Sequence, residues 1–72
     1  MRRLCPGDML LRKAQMSGAS WPRSILIIAI DPGEMDERYV SGRRPAGIVA
    51  VTDMANVDHF SFYFVTVNYE LA

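Results

Sequence analysis

The sequence predicts a small all-β, or β-rich α+β, domain: an antiparallel barrel of four to five strands with room for one short helix near its N-terminus. Three observations carry that expectation. The run Ile25-Leu26-Ile27-Ile28-Ala29-Ile30 is apolar, rich in β-branched residues and too short for an ordinary helix. Gly47-Ile48-Val49-Ala50-Val51-Thr52 has the same character. The stretch 59–69 reads as a long strand, with Phe60, Phe62 and Phe64 on one face and Tyr63, Val65, Val67 and Tyr69 on the other.

Taken in chain order, the N-terminal segment admits two forms. Asp8 can cap a helix over residues 9–16 that stops at Gly18, since those residues are good helix formers. Alternatively Pro6-Gly7-Asp8 turns the chain into a strand at 9–13, with Met9 and Leu11 inward. The strand is preferred, because a helix this short is marginal alone and a small sheet needs a further strand. The run 25–30 has no polar alternation, so it fits a strand with both faces covered. It ends at Asp31-Pro32-Gly33-Glu34, where Pro32 sets the first corner of a turn and Gly33 the positive-φ corner. Residues 34–45 read as an exposed loop with room for a short strand at Arg38-Tyr39-Val40. The loop 53–58 is short enough for a hairpin that pairs residues 48–52 with 60–64 in antiparallel fashion.

A chain of 72 residues has one core and buries only about 60% of the surface its unfolded form exposes, so a single domain over 1–72 with a thin stability margin is expected. Half of the residues are hydrophobic, which is too apolar for intrinsic disorder. Cys5 is the only cysteine, so no internal disulfide staples the fold and a reducing, cytoplasmic setting is the natural one. Met1-Arg2-Arg3 resembles the start of a signal peptide, but Pro6, Gly7, Asp8, Arg12 and Lys13 interrupt the apolar region that should follow. The longest apolar run is far below the roughly 20 residues that span a bilayer, so no membrane partner is expected. Formal net charge is zero, although residues 1–30 carry five basic side chains against one acid and residues 31–37 carry four acids.

Few residues carry the pattern of a reactive site, and neither catalytic residues, cofactor nor metal are expected. His59 and Asp58 are adjacent, and neighbours on a strand point to opposite faces. Cys5 has no base beside it in the sequence. Asp31, Glu34, Asp36 and Glu37 are interrupted by Pro32 and Met35 and do not form a calcium loop. Gly42-Arg43-Arg44-Pro45-Ala46-Gly47 lacks the ending of a phosphate-binding loop.

The Pro6-Gly7-Asp8 turn, Met9-Leu10-Leu11, the long loop to Trp21, the hydrophobic strand, Gly47-Ile48-Val49 and the last strand pair together resemble SH3-like small barrels, including those of short phage and bacterial proteins. That resemblance implies a fold and no particular activity. The segment 15–24 lacks the acidic and aromatic residues with which peptide-binding SH3 domains hold proline-rich ligands.

Two functions follow as expectations. A strand that is apolar on both sides exceeds what so short a chain can cover, which points to a non-enzymatic interaction module, a phage accessory or virion component, docking on a protein or on itself through Phe60, Phe62, Tyr63, Phe64, Val65 and Tyr69. The alternative is a nucleic-acid-binding barrel that uses Arg2, Arg3, Arg12, Lys13, Arg43 and Arg44 on the phosphates, with Trp21, Tyr39 and Tyr63 available for base stacking.

Overall fold

The computed structural model describes residues 3–16 and 20–72; Arg2 and Gly18 lie outside them. Among the described residues there are five strands and one α-helix: β1 (Met9–Arg12), β2 (Ser24–Asp31), β3 (Gly47–Thr52), β4 (Val57–Phe60), α1 (Phe62–Asn68) and β5 (Tyr69–Leu71). The strands make one antiparallel sheet in the order β4-β3-β2-β1-β5. The β-rich architecture expected from the sequence is the one formed.

The N-terminal segment is a strand, followed by a single 3₁₀ turn at Ala14–Met16, and no helix spans residues 9–16. Its facing is the reverse of the expectation. Leu10 is buried, while Met9 and Leu11 are exposed. Three consecutive apolar residues carry no parity, so only the pairing of Leu10 with Ile25 and Leu71 determines which side is the core. The turn before β1 is formed as read: Gly7 has φ +95° and Asp8 accepts a 2.8 Å bond from the Cys5 N–H.

The largest correction concerns residues 59–69, which are not one strand. β4 ends at Phe60 because Ser61 takes an extended conformation and its hydroxyl accepts from the Phe64 N–H at 3.0 Å, capping a helix. Of the residues that follow, Phe-Tyr-Phe-Val-Thr-Val-Asn, all but the last have strand propensities, yet they form α1. Packing accounts for it. Helical spacing brings Phe64, Val65 and Asn68 onto the core side together, and the Asn68 amide satisfies the Phe64 carbonyl at 2.9 Å. The Tyr69 N–H closes the last turn on the Val65 carbonyl, and the chain then enters β5 beside β1.

The 47–60 hairpin is present, with its register tighter than expected. Ile48 faces Phe60 and Val51 faces Val57, so residues 53–56 alone make the turn. Ala55 takes φ +63° there, and the buried Thr52 hydroxyl accepts from the Met54 and Asn56 N–H groups. The loop 32–46 folds back on itself through a bridge between Met35 and Arg43. Its tip at residues 38–40 is a turn, tied by the Tyr39 N–H to the Asp36 carbonyl, in place of a short strand.

The core lies between the inner sheet face and α1. Leu10, Ile25, Ile27, Ile48, Ala50, Val65 and Tyr69 are fully buried, with Leu4, Ile30, Phe60, Phe64 and Leu71 packed against them. Phe64 meets Phe60 stacked at 5.8 Å, Trp21 edge-on at 5.0 Å and Tyr69 tilted at 6.0 Å. Among the described residues, no buried side-chain nitrogen or oxygen lacks a partner.

Candidate docking surface

An antiparallel sheet with one face in water normally alternates apolar and polar residues. Here much of the outer face is apolar as well, although Ser24 and Glu70, opposite Leu11, and His59, opposite Val49, share it. The alternate residues of the four larger strands that do not enter the core line up across the sheet, because Met9 pairs with Leu26, Leu26 with Val51, and Val51 with Val57. Leu11 flanks that row on β1, Ile28 on β2 and Val49 on β3. A β-bulge between Ile27 and Ala29 places both Ile28 and Ala29 in the open. Leu26 remains 37% exposed, Ile28 45% and Val57 61%. These seven side chains include no charge. The expectation that both faces of 25–30 are covered is therefore met on the inner side alone.

At the Asp31 end this face is bounded by an ion cluster. Asp31 is nearly buried, and Arg44 grips it with two bonds, Nε to Oδ2 at 2.8 Å and a terminal nitrogen to Oδ1 at 3.1 Å. Oδ1 also accepts from the Gly33 N–H, since Gly33 takes the positive-φ corner of the turn (φ +79°) as expected. His59 Nε2 lies 3.3 Å from Asp31 Oδ2. The ring reaches across because Gly47, opposite Asp31, has no side chain to block it. This contact was invisible in the sequence, where Asp58 is the acid nearest His59.

Arg44 chiefly, and then the Gly33 N–H, hold the Asp31 carboxyl below its ordinary value of 3.8 against the opposing effect of burial. Arg38 does the same to Asp36, bringing it to about 2. A lowered native value means the ionised form stabilises the fold; that contribution is complete above pH 4 to 5 and is lost as pH falls through the native value. Thermal unfolding scanned from neutral to acid should show stability declining below about pH 4. Asp31→Asn should flatten part of that decline, and unchanged acid sensitivity in the variant would show that the Arg44–Asp31 pair does not contribute.

The aromatic residues expected to dock are divided by the helix. Val65 and Tyr69 are buried, Phe60 and Phe64 are half-buried in the aromatic cluster, and only Phe62 and Tyr63 are exposed, Tyr63 at 79%. The basic residues are divided too. Arg12 donates to the Trp21 carbonyl at 2.6 Å and Lys13 to the Thr66 carbonyl at 3.4 Å, near the Ser24 end of β2. Arg44 is committed to Asp31 at the other end, with Arg43 exposed beside it, roughly 20–25 Å away along eight strand residues. Arg3 lines an open, mostly apolar cavity of about 430 Å³ with Ile30 and Phe62. Trp21 packs on Phe64, and Tyr39 is exposed on the 32–46 loop.

Among the described residues, no hydroxyl or thiol hydrogen-bonds to His59, and no three His, Cys, Asp or Glu side chains are grouped to hold a metal ion. Nor is any helix among them long and apolar enough to cross a membrane. No family model matches the chain, and no curated protein or solved structure matches it either.

Proposed function

We propose that this chain is a non-enzymatic protein-interaction module that docks through the outer face of its sheet. The observation that carries the reading is the uncharged row Met9, Leu26, Val51 and Val57 with Leu11, Ile28 and Val49 beside it. Contiguous apolar patches that are large for a small soluble domain mark contact surfaces. The five-stranded antiparallel sheet supports the SH3-like resemblance, and a phage accessory or virion component is the setting which that resemblance implies. Docking through the 60–69 segment is the weaker version of the same idea, because four of its six docking side chains, Phe60, Phe64, Val65 and Tyr69, belong to the core. Nucleic-acid binding is supported less well, since the cations lie at opposite ends of the sheet and Arg44 is spent on Asp31.

The test compares proteins retained from the native source by the wild-type chain, by Leu26→Lys and by Tyr63→Ser. Partners lost with Leu26→Lys and kept with Tyr63→Ser are the expected outcome. Loss with Tyr63→Ser alone would move docking to α1, and an identical set from all three would remove the outer face from consideration.

A further inference from the structure

We infer that the cavity between the N-terminal segment and α1 binds a small amphiphilic carboxylate, its hydrocarbon against Leu4, Ile30 and Phe62 and its head on Arg3; the inference does not rest on the docking reading, since this site lies on the core side of the sheet. The cavity follows from how three pieces of chain meet. Phe62 and Thr66 stand one turn apart on a face of α1 that Phe64, Val65 and Asn68, turned to the core, leave free. Ile30, near the end of β2, joins them from the edge of the core. Residues 3–6 make the opposite wall, and the chain just beyond them is anchored to β2: the Gly7 N–H donates to the Ile27 carbonyl at 2.7 Å and the Ile27 N–H to the Asp8 carbonyl at 2.9 Å.

Size and charge select the ligand. A volume of about 430 Å³ falls within the roughly 300–1,000 Å³ of small-molecule sites, whose walls are mostly apolar with a few polar groups that orient the ligand. Of the described residues that line the cavity, Arg3 alone is charged. It is exposed, and among the described residues no carboxylate pairs with it. An apolar hollow with one cation at its margin is complementary to an anion with an apolar body. One guanidinium balances one unit of charge and offers a planar fork to two oxygens, which is what a carboxylate presents. A phosphate monoester carries roughly 1.5–2 charges and would leave part of that charge unpaired against apolar walls. Phe62, 40% exposed in the free chain, is covered when the hydrocarbon enters.

Decanoate titrated into the full chain at neutral pH, below its micellar range, tests the site through backbone and methyl NMR shifts. A second readout is the rate at which iodoacetamide alkylates Cys5, the chain's only thiol, which is exposed and lines the cavity. Expected are saturable binding of one decanoate per chain, shifts centred on Leu4, Ile30, Phe62 and Thr66, and slower alkylation. Decanol lacks the charge, acetate the tail, and decyl phosphate the singly charged head, so each should bind roughly tenfold or more weakly than decanoate. Arg3→Gln should weaken decanoate by roughly tenfold to a hundredfold and leave decanol unchanged, a split that loss of structure would not produce. Absence of saturable binding, or shifts that gather on Leu26, Val51 and Val57 of the outer face, overturns the site. Equal affinity for decanol, or an Arg3→Gln chain that binds decanoate as the wild type does, overturns the role of Arg3. Tighter binding of decyl phosphate overturns the carboxylate class. The docking reading stands or falls separately, because its own test turns on Leu26.

Discussion

Tyr69→Ala should remove a large share of the stability of this domain. Tyr69 is 1% exposed, its ring meets Phe64, and its hydroxyl donates to the Pro22 carbonyl, so one side chain joins β5, α1 and the segment before β2. Truncating a buried aromatic to alanine costs about 3–5 kcal/mol. At 0.05–0.15 kcal/mol per residue, a chain of this length has roughly 4–11 kcal/mol in total. The expected lowering of Tm is therefore at least about 12 °C, at 4–8 °C per kcal/mol for domains of this size. Tyr69→Phe keeps the ring and loses one hydrogen bond, so it should cost only about 1–3 kcal/mol. Burial also raises the Tyr69 hydroxyl above its ordinary value of 10.0, so the protonated form is the native one. Stability should then fall as pH rises beyond about 10, and Tyr69→Phe should remove that component. A Tyr69→Ala protein within 1 kcal/mol of wild type by denaturant titration would contradict the placement of this ring.

Gly47→Ala is expected to separate β4 from β3. A Cβ at this position would stand 2.5 Å from His59 Cε1 and 2.5 Å from the Phe60 carbonyl oxygen. The imidazole can swing away; the carbonyl belongs to the paired strand and cannot move without opening the ladder. Overpacking of this kind costs typically 1–3 kcal/mol, and contact with backbone puts this case at or above the upper end. The same methyl displaces His59 from Asp31, which a two-dimensional NMR spectrum of the imidazole would register. Combining Gly47→Ala with His59→Ala separates the two contacts. The double variant should recover little stability, because the carbonyl clash remains; full recovery would show that only the ring was obstructed.

Both experiments bear on why some of the molecule was legible and some was not. The strands at 24–31 and 47–52 were readable because short β-branched runs bounded by turn residues have few other uses, and the Pro32-Gly33 corner because few residues tolerate its φ. The Ser61 cap was also present in the sequence, but the six residues after it favour strand locally, and the period-2 pattern of Phe60, Phe62 and Phe64 concealed the helical set Phe64, Val65 and Asn68. Of the surface proposed here, the apolar character of 25–30 and 47–52 was evident and its openness to solvent was not. The Asp31–His59–Arg44 cluster joins residues from three separate segments and left no local trace.

By itself, then, the amino-acid order determined a compact antiparallel sheet, its principal turns and an excess of apolar side chains over what one small core can hide. Tertiary structure decided which side of each strand became core, where β4 gave way to a helix, and which acid met His59. Local preference chooses among conformations that differ by fractions of a kcal/mol per residue, whereas burying Leu10, Val65 and Tyr69 is worth about 1.5–3 kcal/mol or more apiece, so packing prevails where the two disagree.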